Sequence, residues 1–322
     1  MKVVIAGGTG QVGTALGRAL RGDGHQVVVL TRRAGGAGQV AWDGERLGPW
    51  AREVDGSDVV INLAGRSVSC RYTKGNLTEM MRSRVLSARV VGQAIAAASR
   101  PPRAWLQMST ATIYAHTHGA PNDEATGVIG GSEDDVPGYW AFSVDIAQAW
   151  ERELDEARVP ATRKVALRAA MVMTPDKGGV FDVLSRMARV GLGGPVAGGG
   201  QYVSWIHEDD FTAAVRFLID QEALAGPVNL ASPGPVRQRD LMRELRAAWG
   251  VRAGLPATRW MAELGALAMR TDTELLLKSR RVVPGALTAA GFEFRHGTWP
   301  EAARDLVRRA RAGRPETAVI SQ

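Results

Sequence analysis

The 322-residue chain has one cysteine, Cys70, and five histidines. A lone thiol excludes an intramolecular disulfide framework and a thiolate metal cluster, and it suits a reducing, cytoplasmic setting. His116 and His118 have no spacing that implies a metal or a base, so no metal is expected. No apolar run approaches the roughly 18 residues of a membrane span, and KVVIAGG after Met1 is too short for a secretory leader. No membrane partner is expected. Aromatic residues make up 6% of the chain, and no basic stripe interleaves with them. The formal charge of +7 is scattered, apart from RDLVRRARAGRPE, which reads as a solvated helix and a frayed tail. Nucleic acid is therefore not expected as a partner. Internal repeats and low-complexity segments are missing too.

What is present is an alternation of apolar strand-like runs with longer amphipathic stretches, the pattern of a parallel sheet with crossover helices. Strands are expected at 2–7, 25–32, 39–43, 57–65, 104–114 and 162–173, and helices at 11–24, 76–99 and 138–158. Residues 115–138 read as a long polar loop at a functional edge. After residue 173 the pattern turns mainly helical, with helices at 237–249, 257–270 and 299–311. The expected fold class is α/β: a Rossmann-like doubly wound parallel sheet over 1–173, with parts of 200–232 returning to it. Residues 174–322 would form a smaller, discontinuous substrate domain.

VVIAGGTGQVGTAL places Gly7, Gly10 and Gly13 between a strand and a helix. One glycine allows the tight turn, the next lets the backbone approach a pyrophosphate, and the third lets the helix press on the sheet. The phosphates would lie at the helix N-terminus, with Thr9, Gln11 and Val12 alongside. After the second strand stand Thr31, Arg32 and Arg33, with no acid before Asp43. An acid there would bond a ribose 2′-hydroxyl, whereas arginine suits a 2′-phosphate, so NADP(H) is expected over NAD(H). Leu63, Ala64 and Gly65 end the fourth strand and leave room for the adenosine side, or merely begin a turn.

Together, GGTGQVG, INLAG, SRV, GLGGPVAGGGQYVSWIHEDD, GPVNLASP and GFEFR make the chain resemble the extended short-chain dehydrogenase/reductase superfamily. More narrowly it is similar to the epimerase family protein branch with its own small C-terminal domain. The resemblance implies that Thr31 and Arg32 contact the adenosine phosphate end and that Leu63 and Ala64 lie along the cofactor. It also places Glu79 and Arg84 on the cofactor side; an exposed ion pair between those two is the alternative. His207, in SWIHEDD, is read as part of a strand end, with Asp209 or Asp210 capping the next helix, or as a proton-transfer group.

The superfamily's proton chemistry needs Tyr with Lys four residues later, the cation lowering the phenol's pKa. PGYWAFSVDIAQAWERE, where that dyad belongs, has no lysine. Anchoring on Tyr139 gives Tyr139 and Ser143; anchoring on AWE gives Phe142 and Ile146. The third partner is kept as Ser109 or Thr110, or that hydroxyl bonds its own backbone. Three readings remain open: a reductase with another proton donor such as Thr110, Tyr114, Tyr139 or water; a non-catalytic NADP(H) sensor; and a nucleotide-sugar epimerase or dehydratase. The substrate pocket is expected to be lined by the 115–138 loop and the second domain. A monomer or a homodimer is expected.

Overall fold

The computed structural model describes residues 1–313 apart from 135, 262 and 264–272. In chain order the elements of the first part are β1 (Lys2–Ala6), α1 (Gln11–Gly22), β2 (Gln26–Thr31), β3 (Gln39–Ala41), β4 (Val59–Asn62), α2 (Lys74–Ala97), β5 (Ala104–Thr110), α3 (Ala141–Glu156) and β6 (Arg163–Ala169). They are followed by β7 (Met171–Met173), α4 (Val180–Arg189), β8 (Tyr202–Val203), β9 (Trp205–His207), α5 (Glu208–Asp220), β10 (Gly226–Leu230), β11 (Val236–Arg237) and α6 (Gln238–Trp249).

Seven strands form one parallel sheet in the order β10-β6-β5-β4-β1-β2-β3. In β1, Val3 and Ile5 face one core, Val4 and Ala6 the other, and all are fully buried. A strand covered on both sides has no need of polar alternation, which is why these segments read as unbroken apolar runs. Leu16 and Leu20 of α1 with Phe211, Val215 and Leu218 of α5 cover the first face. Val91 and Ile95 of α2 with Trp150 and Leu154 of α3 cover the second. The chain leaves β1 toward β2 on one side and β4 on the other, so a crevice opens beyond the carboxyl ends of β1 and β4.

The strand expected at 162–173 is divided. β6 stays in the large sheet, while β7 turns away to pair with β9. RKVALRAAMVM has no turn residue to signal the break; the partner strand, 34 positions on from Met171 at Trp205, makes it. Among the late segments, β10 pairs in parallel with β6, from Gly226 opposite Val165 to Leu230 opposite Ala169. A third core joins α4, α6 and the helix Trp299–Ala312 through Phe181, Leu241, Leu245 and Leu306, with Trp205 and Trp299 edge-to-face at 5.0 Å. α6 ends where Gly250 takes the left-handed φ of 76°. The expected helix at 257–270 lies largely outside the described residues. No helix among the described residues is long and apolar enough to cross a membrane.

None of the described residues of the 115–138 loop borders the crevice. Its backbone is bonded to the late segment 279–283: Asn122 N–H to Arg281 O at 2.7 Å, and Val283 N–H to Asn122 O at 2.9 Å. Ser279 Oγ donates to Thr117 O at 2.6 Å. The loop is thus a frame for that late segment, which does reach the crevice.

Candidate functional site

The crevice starts at the glycine turn. Gly7 has a φ of +72°, and a Cβ there would lie 2.7 Å from Ala64 Cα. A Cβ on Gly13 would lie 2.6 Å from Gly8 Cα. Both glycines are demanded by backbone packing. Gly10 differs: a Cβ would meet only Gly7 O, at 3.8 Å, and Gly10 caps α1 with no side-chain bond. Its face is open toward the groove, at the positive end of α1, an environment that favours an anion.

That groove, about 430 Å³, runs past Thr9, Thr31, Arg32, Ala64 and Glu79. Thr9 and Thr31 place their hydroxyls 3.4 Å apart at the ends of their turns, and Arg32 is exposed beside them. Asp43 also borders it, but its Oδ1 accepts the N–H groups of Glu45 and Arg46, which holds its pKa below the ordinary value. A dinucleotide with a 2′-phosphate fits these residues. Glu79 does not pair with Arg84; it lies 3.4 Å from Arg82, which also holds Glu45 at 2.6 Å. Arg84 instead stacks over Trp150 at 5.0 Å and donates to Met80 O, and burial lowers its pKa to about 10.

Leu63, Gly65, Arg66 and Ser67 border both this groove and a second cavity of about 500 Å³. Gln11 and Val12 lie on the second cavity, as do Ser109, Thr110, Ser143, Ile146, Glu274 and Arg280. Its inner wall is hydroxyl-rich. Ser109 Oγ donates to Glu151 Oε1 at 2.5 Å, and Thr110 Oγ1 accepts from Thr112 N at 3.1 Å, so Thr110 caps the short turn after β5. Ser143 Oγ donates to Glu274 Oε2 at 2.5 Å. Lys278 and Arg280 stand 3.8 and 3.6 Å from Glu274 Oε1. Burial, reinforced by Arg280, lowers the Lys278 pKa to about 8 against the opposing pull of Glu274.

The two tyrosines lie elsewhere. Tyr139 is 47% exposed, is not on the cavity wall, and has its hydroxyl 3.1 Å from Thr273 Oγ1. Tyr114 is buried: its hydroxyl accepts from Arg168 at 2.9 Å and bonds Asn229 Oδ1 at 3.0 Å. Burial raises its pKa, so it holds its proton. Arg168 in turn forks onto Glu151 at 2.9 and 2.8 Å. Ser143 and Ile146, the lysine positions of the two alternative alignments, both face the cavity from α3, and neither is a lysine. Glu151, Arg168, Glu274 and Arg280 have no spacing that would single them out in the sequence. An acid or arginine buried by partners more than 100 residues away, as Glu274 is by Ser143, leaves no local pattern.

His207 lies outside the cleft. It caps α5 itself, Nδ1 accepting Asp209 N–H at 3.0 Å, which corrects the assignment of the cap to Asp209 or Asp210. Asp209 instead forks onto Arg309 at 2.9 and 2.5 Å, and Asp210 accepts the N–H groups of Arg295 and His296. His207, Asp209, His296 and Asp305 have ligand atoms within 4.8 Å of one another. A metal does not suit them. The cap fixes the His207 proton on Nε2, 3.2 Å from Asp305 Oδ2, and a metal there would require an imidazole with no proton at all. Arg309 already occupies both carboxylates, with its Nε 2.6 Å from Asp305 Oδ2.

Fold, glycine turn and two-part crevice define an extended Rossmann-like protein of the short-chain dehydrogenase/reductase type. The chain belongs to the NAD dependent epimerase/dehydratase family, which it matches over residues 3–231, and residues 257–306 match a domain of unknown function, DUF1731. The human epimerase family protein SDR39U1 is 29% identical, covering 95% of this chain and 100% of its own length. Epimerase family protein ML0860 of Mycobacterium leprae is 32% identical over 93% of this chain and 94% of that one. The crystal structure of human SDR39U1 (isoform2) with NADPH superposes with a TM-score of 0.83 at 27% identity, covering 96% of this chain and 99% of that one.

Proposed function

We infer that this protein binds NADP(H) and acts as an oxidoreductase on a small carbonyl or alcohol substrate, with residues 174–322 forming the substrate side. The observation that carries this reading is the continuity of the glycine-turn groove with the hydroxyl-lined cavity through Leu63, Gly65, Arg66 and Ser67. The NADPH in the crystal structure of the human relative supports the same cofactor. The open face of Gly10 would take the pyrophosphate and Arg32 the 2′-phosphate.

When bound, the cofactor supplies or accepts the hydride. The chain has to move the proton, and Tyr with Lys is not there to do it. Ser143 and Glu274 suit this work: in oxidation Ser143 would take the alcohol's proton while giving its own to the Glu274 carboxylate that it already hydrogen-bonds. Reduction would run the reverse path, after Glu274 has taken a proton from solvent. A non-catalytic NADP(H)-binding protein is the second reading, favoured by the lack of a lysine at both Ser143 and Ile146, the two positions on the cavity wall where it could belong.

Thermal titration with NADP⁺ and NAD⁺ tests the cofactor, with greater stabilisation by NADP⁺ expected. Loss of reduced-nicotinamide absorbance against a carbonyl panel separates the two readings. Turnover with any carbonyl removes the sensor, and tight NADPH binding with no turnover across the panel removes the enzyme.

A further inference from the structure

Five elements bring an apolar wall to the second cavity: Met80 from α2, Met108 from β5, Ile146 from α3, Val172 from β7 and Val180 from α4. Apolar side chains around a space of about 500 Å³ favour an occupant that takes hydrocarbon out of water. The charged side chains on the same wall are Arg66, Arg84, Glu274 and Arg280 among the described residues, and the three arginines are already engaged.

Arg280 is buried: its Nε donates to Thr112 Oγ1 at 3.1 Å, and its Nη2 is sealed away from solvent, 3.6 Å from Glu274 Oε1. Arg84 lies over the Trp150 ring and against Gly65, and its Nη1 donates to Met80 O at 3.0 Å. Arg66 is exposed where the cavity meets the nucleotide groove, and its Nη2 donates to Asn76 Oδ1 at 2.8 Å. An anion brought up to Ser143 would meet the Glu274 carboxylate, whose neighbouring cations Arg280 and Lys278 already face that acid. The hydroxyl has a direction too. A carboxylate only accepts, so Ser143 spends its one proton on Glu274 and offers a partner its lone pairs.

We propose that the substrate is an uncharged alcohol with an apolar body, held by its hydroxyl on Ser143 and by its hydrocarbon on the Met108–Ile146–Val172–Val180 wall. This rests on the oxidoreductase reading. A nucleotide sugar, whose diphosphate needs several free donors, suits the wall poorly. The alcohol O–H donates to Ser143, the match that the lone pairs of that serine call for. In the reaction the carbinol carbon gives its hydride to NADP⁺ and the hydroxyl gives its proton to Ser143, whose own proton passes to Glu274. The products are the aldehyde or ketone, NADPH and a proton that Glu274 releases to solvent.

The test is calorimetric titration of NADPH-saturated protein, with which an alcohol cannot react, using straight-chain primary alcohols of increasing length, each beside its ω-hydroxy acid. Affinity is expected to rise about fourfold with each added methylene until the cavity is filled. The hydroxy acid of the same length should bind about tenfold or more weakly. Val172→Asn and Val180→Asn should each flatten the rise with length. Affinity that does not change with length, hydroxy acids binding as well as alcohols, or UDP-glucose binding more tightly than every alcohol would each overturn the proposal. So would a Val172→Asn or Val180→Asn protein that binds NADPH and keeps the full rise. Should neither variant fold, the length series and the acid comparison on the unaltered chain decide. Turnover is read separately, as reduced-nicotinamide absorbance appearing with NADP⁺ and the best-bound alcohol. Alcohols that bind with the expected rise but are not oxidised would strike the oxidoreductase reading and leave the ligand class standing.

Discussion

The two ends of the crevice are built differently. At the nucleotide end the work is done by backbone from one short stretch, residues 7–13, where side chains have been removed to bring strand, turn and helix together. At the far end the wall is assembled from side chains on β5, α3 and residues 274–280, which share no sequence neighbourhood. A backbone site tolerates little substitution but keeps one job. A side-chain site can lose its tyrosine and lysine and still keep a polar pocket. That difference explains how the fold and groove persist here while the usual dyad does not.

The contrast can be broken most severely at Gly7. Gly7→Val puts a branched side chain at positive φ against the Ala64 backbone, and should cost about 3 kcal/mol or more of stability in denaturant melts. Gly10→Ala should change stability by less than about 0.5 kcal/mol yet abolish most NADP⁺ stabilisation, because its Cβ fills only the open groove. Equal effects of the two would remove the distinction between packing and binding glycines.

At the other end, Glu151→Gln leaves the buried Arg168 without its carboxylate and should cost about 3 kcal/mol while leaving NADP⁺ affinity intact. Glu274→Gln should lower kcat by about a hundredfold with NADP⁺ affinity unchanged, if proton transfer runs through Ser143. A Glu274→Gln protein with full turnover would end that role. Arg32→Gln should weaken NADP⁺ by about tenfold and leave NAD⁺ unaffected; a parallel loss of both would mean that Arg32 reads no 2′-phosphate.

The smallest effect lies at His207, outside the crevice. Burial, with the adjacent His296, lowers its pKa from the ordinary 6.5 to about 4. Between those values the unfolded chain takes up the proton and the folded one does not, so this stabilisation is lost as pH falls from 6.5 toward 4. Neighbouring Glu208 works the other way: burial raises its pKa to about 7, so the folded chain holds the extra proton and gains stability as pH falls through 7 toward the ordinary 4.5. Comparing melts of His207→Asn with the unaltered chain isolates the histidine, since Asn keeps a helix cap. The difference should shrink as the medium is acidified; a pH-independent difference would count against a neutral buried His207.

Much of the nucleotide end was legible from residues alone. GGTGQVG between a strand and a helix, and Thr31-Arg32 with no acid after β2, lie within the range over which spacing maps directly to geometry. Less was legible where one apolar run serves two sheets, as at Ala169–Met171, because only the partner β9 divides it. The 115–138 loop was expected on the pocket wall; its backbone instead bonds that of residues 279–283, a pairing that leaves no mark on composition.

The sequence by itself determined the α/β alternation, the glycine turn and the absence of lysine from the helix where the dyad belongs. These are properties of near neighbours, whose distances are set by helix and strand geometry. Only the tertiary structure decided that Tyr114 is spent on Arg168 and Asn229, that Tyr139 stands off the cavity, and that Glu274 and Arg280 complete its wall. Those facts depend on contacts between residues far apart in sequence, 54 apart for Tyr114 and Arg168 and 131 apart for Ser143 and Glu274, and packing alone sets such contacts.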